Sequence, residues 1–543
     1  MSETGTGSDY LLSALVDEGV STLFGLIGEG NSHLVDRTND ADLDYRYARH
    51  EQVAVMMADG YARIAGDVGV CTLTHGPGLT NGVTGLAAAD RDNVPLVVLV
   101  GDTARQGAET SLQYLDHLEM TGPVSVYGTR VESPGTLPER IRSAFAKARL
   151  RSGPVVVEVP TDVQAAPAPE IPYEPRQLAS GRRPPEPDRV EAAAAALAES
   201  EAPLILAGGG AAAAGAGAAL ESLAETLGAP IATTFYGRGV LPESHPMVSG
   251  IAGTFMPPAS AAVVPDADAV LVVGAQLAGK TTRFGDLWQD ATMVQIDVDR
   301  EAIGHHQPVD VGVLGDARLT VEALADAVTP DPARADAVRD RLAAADEPAA
   351  LSFEDDPDRI DPRELTVAVS DRLPDDAIAT VDSGNNTGFP AVFHRIEAGG
   401  RMLVNGNFGS MGYAIPAALG AKLAAPERPV VSYAGDGSAL QVIQDVETAV
   451  RYGLDIVFVA YNDASYGIIR HRQNLEFDRE TGSAYDAPDL ATVARGLGAD
   501  AATVRSLADL DVLETHLERD GDTPLFLDAR TIPSVSRPGF PPY

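Results

Sequence analysis

Two acidic side chains follow two apolar runs in the last third of the chain. A G-D-G-S sequence at 435–438 comes directly after the apolar run 429–434, and an N-D pair at 462–463 follows the run 456–461. A helical pattern over 440–452 separates them, so the segment predicts a strand–helix–strand unit. Parallel strands end at one edge of a sheet, and that edge is where open α/β sheets bind ligands. Asp436 and Asp463 at this edge would suit Mg²⁺ bound to a diphosphate, although G-D-G alone also makes an ordinary turn.

Two further side chains have types that suit acid–base chemistry. Glu51 opens a predicted helix over 52–64. An acid in the first turn of a helix can simply interact favourably with the helix dipole. His75 lies in a T-H-G-P-G loop and is either a base or a loop histidine with its hydrogen bonds satisfied. Spacing alone leaves both alternatives open for both residues.

The elements that must position these side chains alternate between apolar strand runs and amphipathic helical patterns. Runs such as 70–74, 96–102 and 154–160 read as buried strands, each followed by a turn and a helix. This alternation predicts an α/β protein with three doubly wound parallel-sheet domains. We place an N-terminal domain at 1–170, a linker at 171–190, a central domain at 191–330, a second linker at 331–361, which contains a short helix, and a C-terminal domain at 362–543.

Composition excludes several classes of function. The 543 residues carry a formal net charge of −38, which disfavours nucleic acid as a partner. Only three of the 40 basic residues are lysines (Lys147, Lys280 and Lys422), and abundant acid with little lysine is typical of a halophilic enzyme. Cys71 is the only cysteine, so an intrachain disulfide is excluded. A short polar N-terminus without a signal-peptide pattern, and no membrane-length apolar run, lead us to expect a cytoplasmic enzyme that does not bind membranes.

The glycines Gly208–Gly210 follow an apolar run at 203–207 and raise a different hypothesis. A glycine turn after a strand can bind the pyrophosphate of a dinucleotide. The spaced glycines and the later acidic residue of that fingerprint are absent from this sequence, so a plain tight turn is favoured. An NAD(P)-dependent oxidoreductase would need this turn to bind a dinucleotide.

Taken together, the motifs resemble those of the acetolactate synthase-like family of thiamine-diphosphate enzymes, which also includes pyruvate decarboxylase-like and benzaldehyde lyase-like members. The resemblance covers residues from about 8 to 535. The four matching motifs are R-H-E at 49–51 with A-D-G-Y-A-R at 58–63, G-P-G with T-N at 76–81, G-S-M-G-Y at 409–413 with P-A-A-L-G-A at 416–421, and the pair of acidic sequences at 435–438 and 462–463. Four separated motifs in the family's order identify the chain as a member of this family.

The resemblance implies a thiamine diphosphate and Mg²⁺ site with assigned residues. Glu51 would hydrogen-bond N1′ of the aminopyrimidine ring and promote its imino tautomer. Met411 would wedge between the two rings of the cofactor, although a core methionine is the competing interpretation. Asp436 and Asp463 would be metal ligands, with a backbone oxygen near Ser465 as a third. The other implied cofactor-binding positions are Gly384, Asn385, Asn386, Gly409, Gly435, Gly437, Ser438, Asn462, Tyr466 and Gly467.

The family also implies catalytic partners and an assembly. Gln113 matches an active-site glutamine that points at the reacting carbonyl. His75 replaces a common serine and is a candidate proton carrier. The family's glutamate and metal site come from different subunits, so the resemblance implies at least a homodimer and favours a homotetramer. Its central domain often holds FAD, which makes FAD a candidate cofactor here.

The substrate is less well defined, because two positions depart from the anabolic acetolactate synthases. Val126 stands where those enzymes carry a lysine, and Arg472 stands where they carry a tryptophan. Arg472 is either a solvated surface charge or a ligand for a carboxylate, sulfonate or phosphate. The leading hypothesis is decarboxylation of pyruvate with ligation to a second 2-oxoacid, as in branched-chain amino acid biosynthesis. The alternatives are a 2-oxoacid decarboxylase and an acyl-transferring enzyme that forms no acetolactate.

Overall fold

A computed structural model describes residues 5–106, 110–178, 182–346, 352–519 and 521–540. In this part of the chain, the strands form three six-stranded sheets, and every strand pair in them is parallel. The α/β class and the three parallel sheets predicted from the sequence are therefore confirmed. Residues 179–181 of the first predicted linker and 347–351 of the second lie outside the described residues, as do 1–4 and 541–543, and the domain boundaries stay a prediction.

The first sheet has the strand order β2-β1-β3-β4-β6-β5. Its strands are β1 Thr22–Gly25, β2 Asp44–Tyr47, β3 Gly69–Leu73, β4 Leu96–Asp102, β5 Tyr127–Arg130 and β6 Pro154–Pro160. Its helices are α1 Gly7–Asp17, α2 Ser32–Arg37, α3 Glu51–Ala65, α4 Pro77–Arg91, α5 His117–Thr121, α6 Leu137–Arg151 and α7 Thr161–Ala165. Every residue of β3, β4 and β6 is buried, as expected for parallel strands covered by helices on both faces.

The second sheet has the order β12-β11-β10-β7-β8-β9. Its strands are β7 Pro203–Ala207, β8 Ile231–Thr233, β9 Val248–Ile251, β10 Ala269–Val273, β11 Thr292–Asp297 and β12 Val311–Leu314. The accompanying helices are α8 Pro187–Ala198, α9 Gly209–Ala213, α10 Gly217–Leu227, α11 Pro258–Val263, α12 Ala317–Ala327 and α13 Pro332–Asp346. Helix α13 occupies much of the second predicted linker, where a short helix was expected. Its Leu342 is buried in the core of this unit, so the segment packs as part of the unit rather than as a free connection.

The third sheet has the order β14-β13-β15-β16-β18-β17. Its strands are β13 Ile378–Val381, β14 Arg401–Val404, β15 Val430–Gly435, β16 Val457–Asn462, β17 Asp500–Val504 and β18 Leu525–Arg530. Its helices are α14 Pro362–Ser370, α15 Gly388–Phe393, α16 Ala414–Ala424, α17 Asp436–Val442, α18 Val446–Arg451, α19 Gly467–Phe477, α20 Leu490–Gly496 and α21 Asp511–Leu517. The single helix predicted over 440–452 is two helices, because a 3-10 turn at Ile443–Asp445 interrupts it.

Helices α3 and α16 join the first and third sheet units through an unusually close contact. A Cβ atom added to Gly60 would lie 2.3 Å from the carbonyl oxygen of Ala417, and one added to Gly420 would lie 2.0 Å from that of Met57. Glycine is therefore required where the two backbones meet. Beside this crossing, the hydroxyl of Tyr413 donates to Asp59 at 2.6 Å. The A-D-G-Y-A-R motif thus packs the N-terminal unit against the C-terminal one.

None of the described helices combines the length and apolar character that crossing a membrane requires.

Candidate functional site

A pocket opens at the carboxyl edge of the third sheet, and all its lining residues lie between Pro362 and Val535. Strand β15 leads into the glycine turn at 435–437, and strand β16 leads into Asp463. These two strands are hydrogen-bonded neighbours, with Gly435 in register with Tyr461. The candidate residues in the lining are Gly384, Asn385, Asn386, Met411, Gly435, Asp436, Gly437, Ser438, Asp463, Ser465, Tyr466 and Gly467. The spacing of the two acidic motifs therefore correctly predicted that they lie at the same edge of one sheet.

Asp436 and Asp463 are two acids close together with little compensating charge. Burial raises the pKa of Asp436 to about 7, and the neighbouring charge of Asp463 contributes; the hydroxyl of Tyr485 offsets part of the rise. Burial likewise raises the pKa of Asp463 to about 6. One oxygen of Asp436, Oδ2, is buried and lacks a hydrogen bond from any described residue. A cation with oxygen ligands fits such a pair because it supplies the missing counter-charge.

Two glycines beside these acids lie where their neighbours leave no room for a side chain. A Cβ atom on Gly437 would lie 2.7 Å from the ring of Tyr466, and one on Gly467 would lie 2.8 Å from Oδ2 of Asp463. The turn that re-aims the chain after β16 places Ala464 at φ +57°. Ser465 then donates from its backbone N–H and its hydroxyl to Oδ1 of Asp463, at 3.0 and 2.9 Å. The residues present fit a metal-bound diphosphate.

Asp382, which the sequence analysis assigned no role, holds the loop that carries Met411. Its carboxylate accepts from the backbone N–H of Gly412 at 3.0 Å and of Ala414 at 3.2 Å. Burial raises its pKa to about 6. Met411 lines the pocket and lies 4.0 Å from the amide nitrogen of Gln441, whereas Gly409, at φ +73°, is exposed and outside the lining. Asp382 begins the sequence D-S-G-N-N at 382–386, and an acid directly after strand β13 was the available signal for this contact.

The two asparagines of that sequence are already engaged within the chain. Asn385 accepts at 2.8 Å from the backbone N–H of Arg537 and donates at 3.0 Å to the carbonyl of Val535. Asn386 donates at 3.1 Å to the carbonyl of Asp382. The C-terminal segment is therefore tied to the pocket wall through Asn385.

Two other candidates do not line this pocket. The side-chain nitrogen of Asn462 donates to Asp528 at 2.7 Å and to the carbonyl of Pro488 at 3.0 Å. Arg472 is exposed on α19 and forms an ion pair with Glu476 at 3.2 Å, one helical turn away. In one chain, this geometry matches a solvated surface charge, and a role for Arg472 in anion binding stays a prediction.

The three candidate catalytic residues meet at one loop of the first sheet unit, at 75–78. His75 is part of the loop, and Glu51 and Gln113 lie beside it. The buried Nδ1 of His75 has no hydrogen-bond partner in the described ranges. The carbonyl oxygen of Gln113 is 2.5 Å from where a Cβ atom on Gly76 would stand. Glu51 lies on the other side, with Oε1 3.5 Å from the corresponding point on Gly78. Desolvation by burial lowers the pKa of His75, which favours a neutral imidazole.

Glu51 is held by Asn81, for which the sequence alone predicted no role. The amide of Asn81 donates to Oε2 of Glu51 at 2.9 Å. Glu51 opens α3 and Asn81 lies in the second turn of α4, so two packed helix N-termini fix the carboxylate. Oε2 is thereby occupied, and Oε1 remains for a ligand. The T-N pair of the G-P-G motif was the signal that could have identified Asn81.

The Gly208–Gly210 turn packs closely against the turn that follows β10. A Cβ atom on Gly208 would lie 2.2 Å from the carbonyl of Gly274 and 2.6 Å from the side chain of Ala275. The turn after β10 therefore fills the space beside this turn. The tight-turn interpretation matches this crowding, and no step involving a flavin or nicotinamide follows from it.

Comparison with known protein families matches three successive segments of the chain to domains of one class of enzyme. Residues 5–120 match the N-terminal TPP binding domain of thiamine pyrophosphate enzymes, residues 190–324 match the central domain, and residues 382–529 match the C-terminal TPP binding domain. The fold and these matches define a thiamine pyrophosphate-dependent enzyme.

Full-length relatives narrow this class. The chain is 30% identical to a probable acetolactate synthase large subunit of Methanocaldococcus jannaschii, over 99% of this chain and 93% of the relative. It is 33% identical to the acetolactate synthase large subunit of Parasynechococcus marenigrum, over 97% and 87%. It is 29% identical to a sulfoacetaldehyde acetyltransferase of Castellaniella defragrans, over 93% and 89%. The chain belongs to the acetolactate synthase-like family of thiamine-diphosphate enzymes.

Proposed function

We propose that this enzyme uses thiamine diphosphate and Mg²⁺ to decarboxylate pyruvate and ligate the product to a second 2-oxoacid. The supporting observation is the buried pair Asp436 and Asp463, whose pKa values burial raises, in a pocket also lined by Met411 and a glycine turn. When bound, thiamine diphosphate supplies an acidic thiazolium carbon and an electron sink for breaking the bond next to a carbonyl. The names of the acetolactate synthase relatives favour this reaction.

Residues of the third sheet unit would bind the metal and the diphosphate, and residues of the first would transfer protons. Asp436 and Asp463 would hold the metal, with the backbone near Ser465, and the glycine turn would accept the diphosphate. Oε1 of Glu51 would exchange a proton with the aminopyrimidine ring while Asn81 keeps Oε2 in place. His75, kept neutral by burial, would accept or return a proton near the substrate, and Gln113 would face its carbonyl.

We also propose that two chains complete each active site. The pocket of one chain is lined only by residues 362–535, whereas Glu51, His75 and Gln113 surround a loop of the first sheet unit. A homodimer would bring a partner's 75–78 loop to this pocket, and a tetramer would pair two such dimers. Sedimentation of the holoenzyme tests the assembly, and a monomer that turns over substrate would contradict it.

An acyltransferase is the second candidate function. The sulfoacetaldehyde acetyltransferase relative spans nearly the whole chain, and Val126 and Arg472 depart from the acetolactate synthase pattern. In this case, Arg472 would bind the anionic group of the acceptor after assembly. A simple 2-oxoacid decarboxylase remains the third outcome of the same assay.

The deciding experiment is incubation with pyruvate, thiamine diphosphate and Mg²⁺, with products identified by NMR. Molar KCl belongs in the buffer because salt screens the self-repulsion of a chain with a net charge of −38. Acetolactate supports the proposal, and acetaldehyde supports a decarboxylase. Acetyl phosphate formed only when sulfoacetaldehyde and phosphate are both added, with release of sulfite, supports acyl transfer.

The matched variant is Glu51→Gln, which retains the size of the side chain but removes its acid–base function. We expect turnover to fall by at least about 10²-fold, the lower end of what a positioned acid–base group contributes. Thiamine diphosphate affinity should change little, because Glu51 does not line the pocket that contains the acid pair. Unchanged turnover would contradict the proposed role of Glu51.

A further inference from the structure

A buried polar cluster lies behind the 75–78 loop. His117, Asp102 and Glu158 each offer a ligand atom, and these atoms lie within 4.8 Å of one another. Such a set could hold a metal, but its atoms already have partners. Asp102 forms an ion pair with Arg130 at 2.7 Å, and Glu158 lies 2.9 Å from Nδ1 of His117. The contacts therefore indicate a hydrogen-bonded network.

Both ring nitrogens of His117 form hydrogen bonds, and the donor and acceptor of each can be assigned. Nε2 accepts a hydrogen bond from the backbone N–H of Gly76 at 2.9 Å. It must therefore present its lone pair, and the ring proton is on Nδ1, where it is donated to Oε1 of Glu158. His117 is fully buried and Glu158 nearly so, which protects both bonds from water. Glu158 thus selects the tautomer of His117 that can hold Gly76.

The Gly76 amide is directly connected to His75. The planar peptide that carries this N–H also carries the carbonyl of His75, so fixing one fixes the other. Gly76 has φ +54°, a conformation that favours glycine and that a hydrogen bond can stabilise. The imidazole of His75 lies against Gly30, with Nδ1 only 2.2 Å from where a Cβ atom on that glycine would stand. The site therefore leaves His75 little alternative space once the peptide is fixed.

We propose that His117, in the tautomer selected by Glu158, is a positioning residue for His75 and acts through the Gly76 amide. This inference rests on the proposed function in one respect, which is that His75 serves catalysis. The hydrogen bond itself can be tested without turnover.

Two substitutions at one position separate this role from simple filling of the core. In His117→Gln, the amide group can place its oxygen near the position of Nε2 and still accept from Gly76. In His117→Asn, the shorter amide can place its nitrogen near Nδ1 and retain the bond to Glu158, but it cannot reach Gly76. We expect kcat to fall about tenfold or more in His117→Asn, because a misplacement of about 1 Å can cost on the order of 10²-fold. His117→Gln should retain several-fold more activity, with thiamine diphosphate affinity within about twofold of wild type in both.

Hydrogen–deuterium exchange of the cofactor-free protein tests the bond directly. The peptide that spans 70–79 should gain exchange at one amide in His117→Asn and remain protected in His117→Gln. If His117→Asn unfolds, Glu158→Leu and Glu158→Gln provide a second pair. Leucine removes the acceptor that selects the tautomer and should expose the Gly76 amide, whereas glutamine can still accept from Nδ1 and should protect it.

A double-mutant cycle with His75→Ala tests the route of the effect. If His117 acts through His75, adding His117→Asn to His75→Ala should lower kcat by less than about twofold more. Full additivity, or equal kcat and equal exchange in the asparagine and glutamine variants, would overturn the inference. Failure of the wild-type enzyme to turn over any 2-oxoacid would instead refute the proposed function, and protection of Gly76 would still report whether the hydrogen bond exists.

Discussion

The first and third sheets have the same topology but balance the acids at their edges differently. Numbered within each unit, both have the strand order 2-1-3-4-6-5, whereas the middle sheet has the order 6-5-4-1-2-3. In both units, a glycine-containing loop follows the third strand and an aspartate lies at or just beyond the end of the fourth. In the first unit this is Asp102, and in the third it is Asp463, with Asp436 directly after the third strand.

The difference between these acids is the source of their counter-charge. Arg130, at the end of β5, lies 2.7 Å from Asp102. Among the residues that the structure describes, Asp436 and Asp463 have no ion pair within 4.0 Å, and burial raises the pKa of each. The first unit therefore compensates its acid with its own side chain, whereas the acids of the third unit have no such ion pair and would suit the bound cation that we propose. The same topology supports a loop-positioning network in one unit and a candidate metal site in the other.

The largest effect should come from removing one acid of the third unit. Asp436→Asn should abolish Mg²⁺-dependent binding of thiamine diphosphate and lower kcat/KM by more than about 10²-fold, because a neutral amide is a poor ligand for Mg²⁺. Calorimetric titration with and without Mg²⁺ measures the binding. Asp102→Asn is the matched control and should leave Mg²⁺-dependent binding intact. Equal losses in the two variants would show that the units do not differ as described.

Removing one charged group from each of the two sites should change the free energy of unfolding in opposite directions. Without cofactor at pH 8, Asp436→Asn should raise the free energy of unfolding by up to about 4 kcal/mol, since a pKa unit corresponds to about 1.4 kcal/mol. Arg130→Met should lower it by about 2–3 kcal/mol, because Asp102 would remain buried without its cation. Urea denaturation in molar KCl measures both. Two changes of the same sign would contradict the comparison.

Sequence patterns predicted the elements of both units better than the contacts within them. Apolar runs identified β4 and β15 because strands of a covered parallel sheet are apolar throughout. The spacing of the two acidic motifs located their shared edge, because β15 and β16 are neighbours in a parallel sheet. The break in the helix at 443–445 was missed, although Val442, Ile443 and Asp445 have low helix propensity, because propensity is a weak guide and tertiary packing decides.

The hydrogen-bonded network around His117 could not be predicted from the sequence, for a different reason. His117 is 41 residues from Gly76 and 41 from Glu158, and the three residues meet only after three strands and a short helix have packed. Neither His117 nor Glu158 belongs to a motif with fixed spacing. Asn81 is the intermediate case, because it occurs in a recognised motif, but its contact with Glu51 depends on how α3 and α4 pack.

The pH dependence of the cofactor-free protein should give the smallest effect and the finest test. The pKa of Asp436 is raised above its unfolded value, so the folded state binds a proton more readily, and its carboxylate destabilises the fold most above pH 7. As pH falls from 8 to 5.5, the stability advantage of Asp436→Asn over wild type should shrink by about 2 kcal/mol. Comparing variant and wild type at each pH cancels the contributions of Asp382 and Asp445, whose pKa values burial also raises to about 6, and of His394, whose pKa it lowers to about 3.

Mg²⁺ and thiamine diphosphate should reverse this preference. With both present, the wild type should be more stable than Asp436→Asn at pH 8, because ligands that bind only the folded state stabilise it. The crossover between the cofactor-free and loaded proteins would show that the charge missing from the third unit is supplied by the bound cation. An advantage of Asp436→Asn that persists with saturating cofactor would place the metal elsewhere and leave Asp436 as an ordinary buried acid.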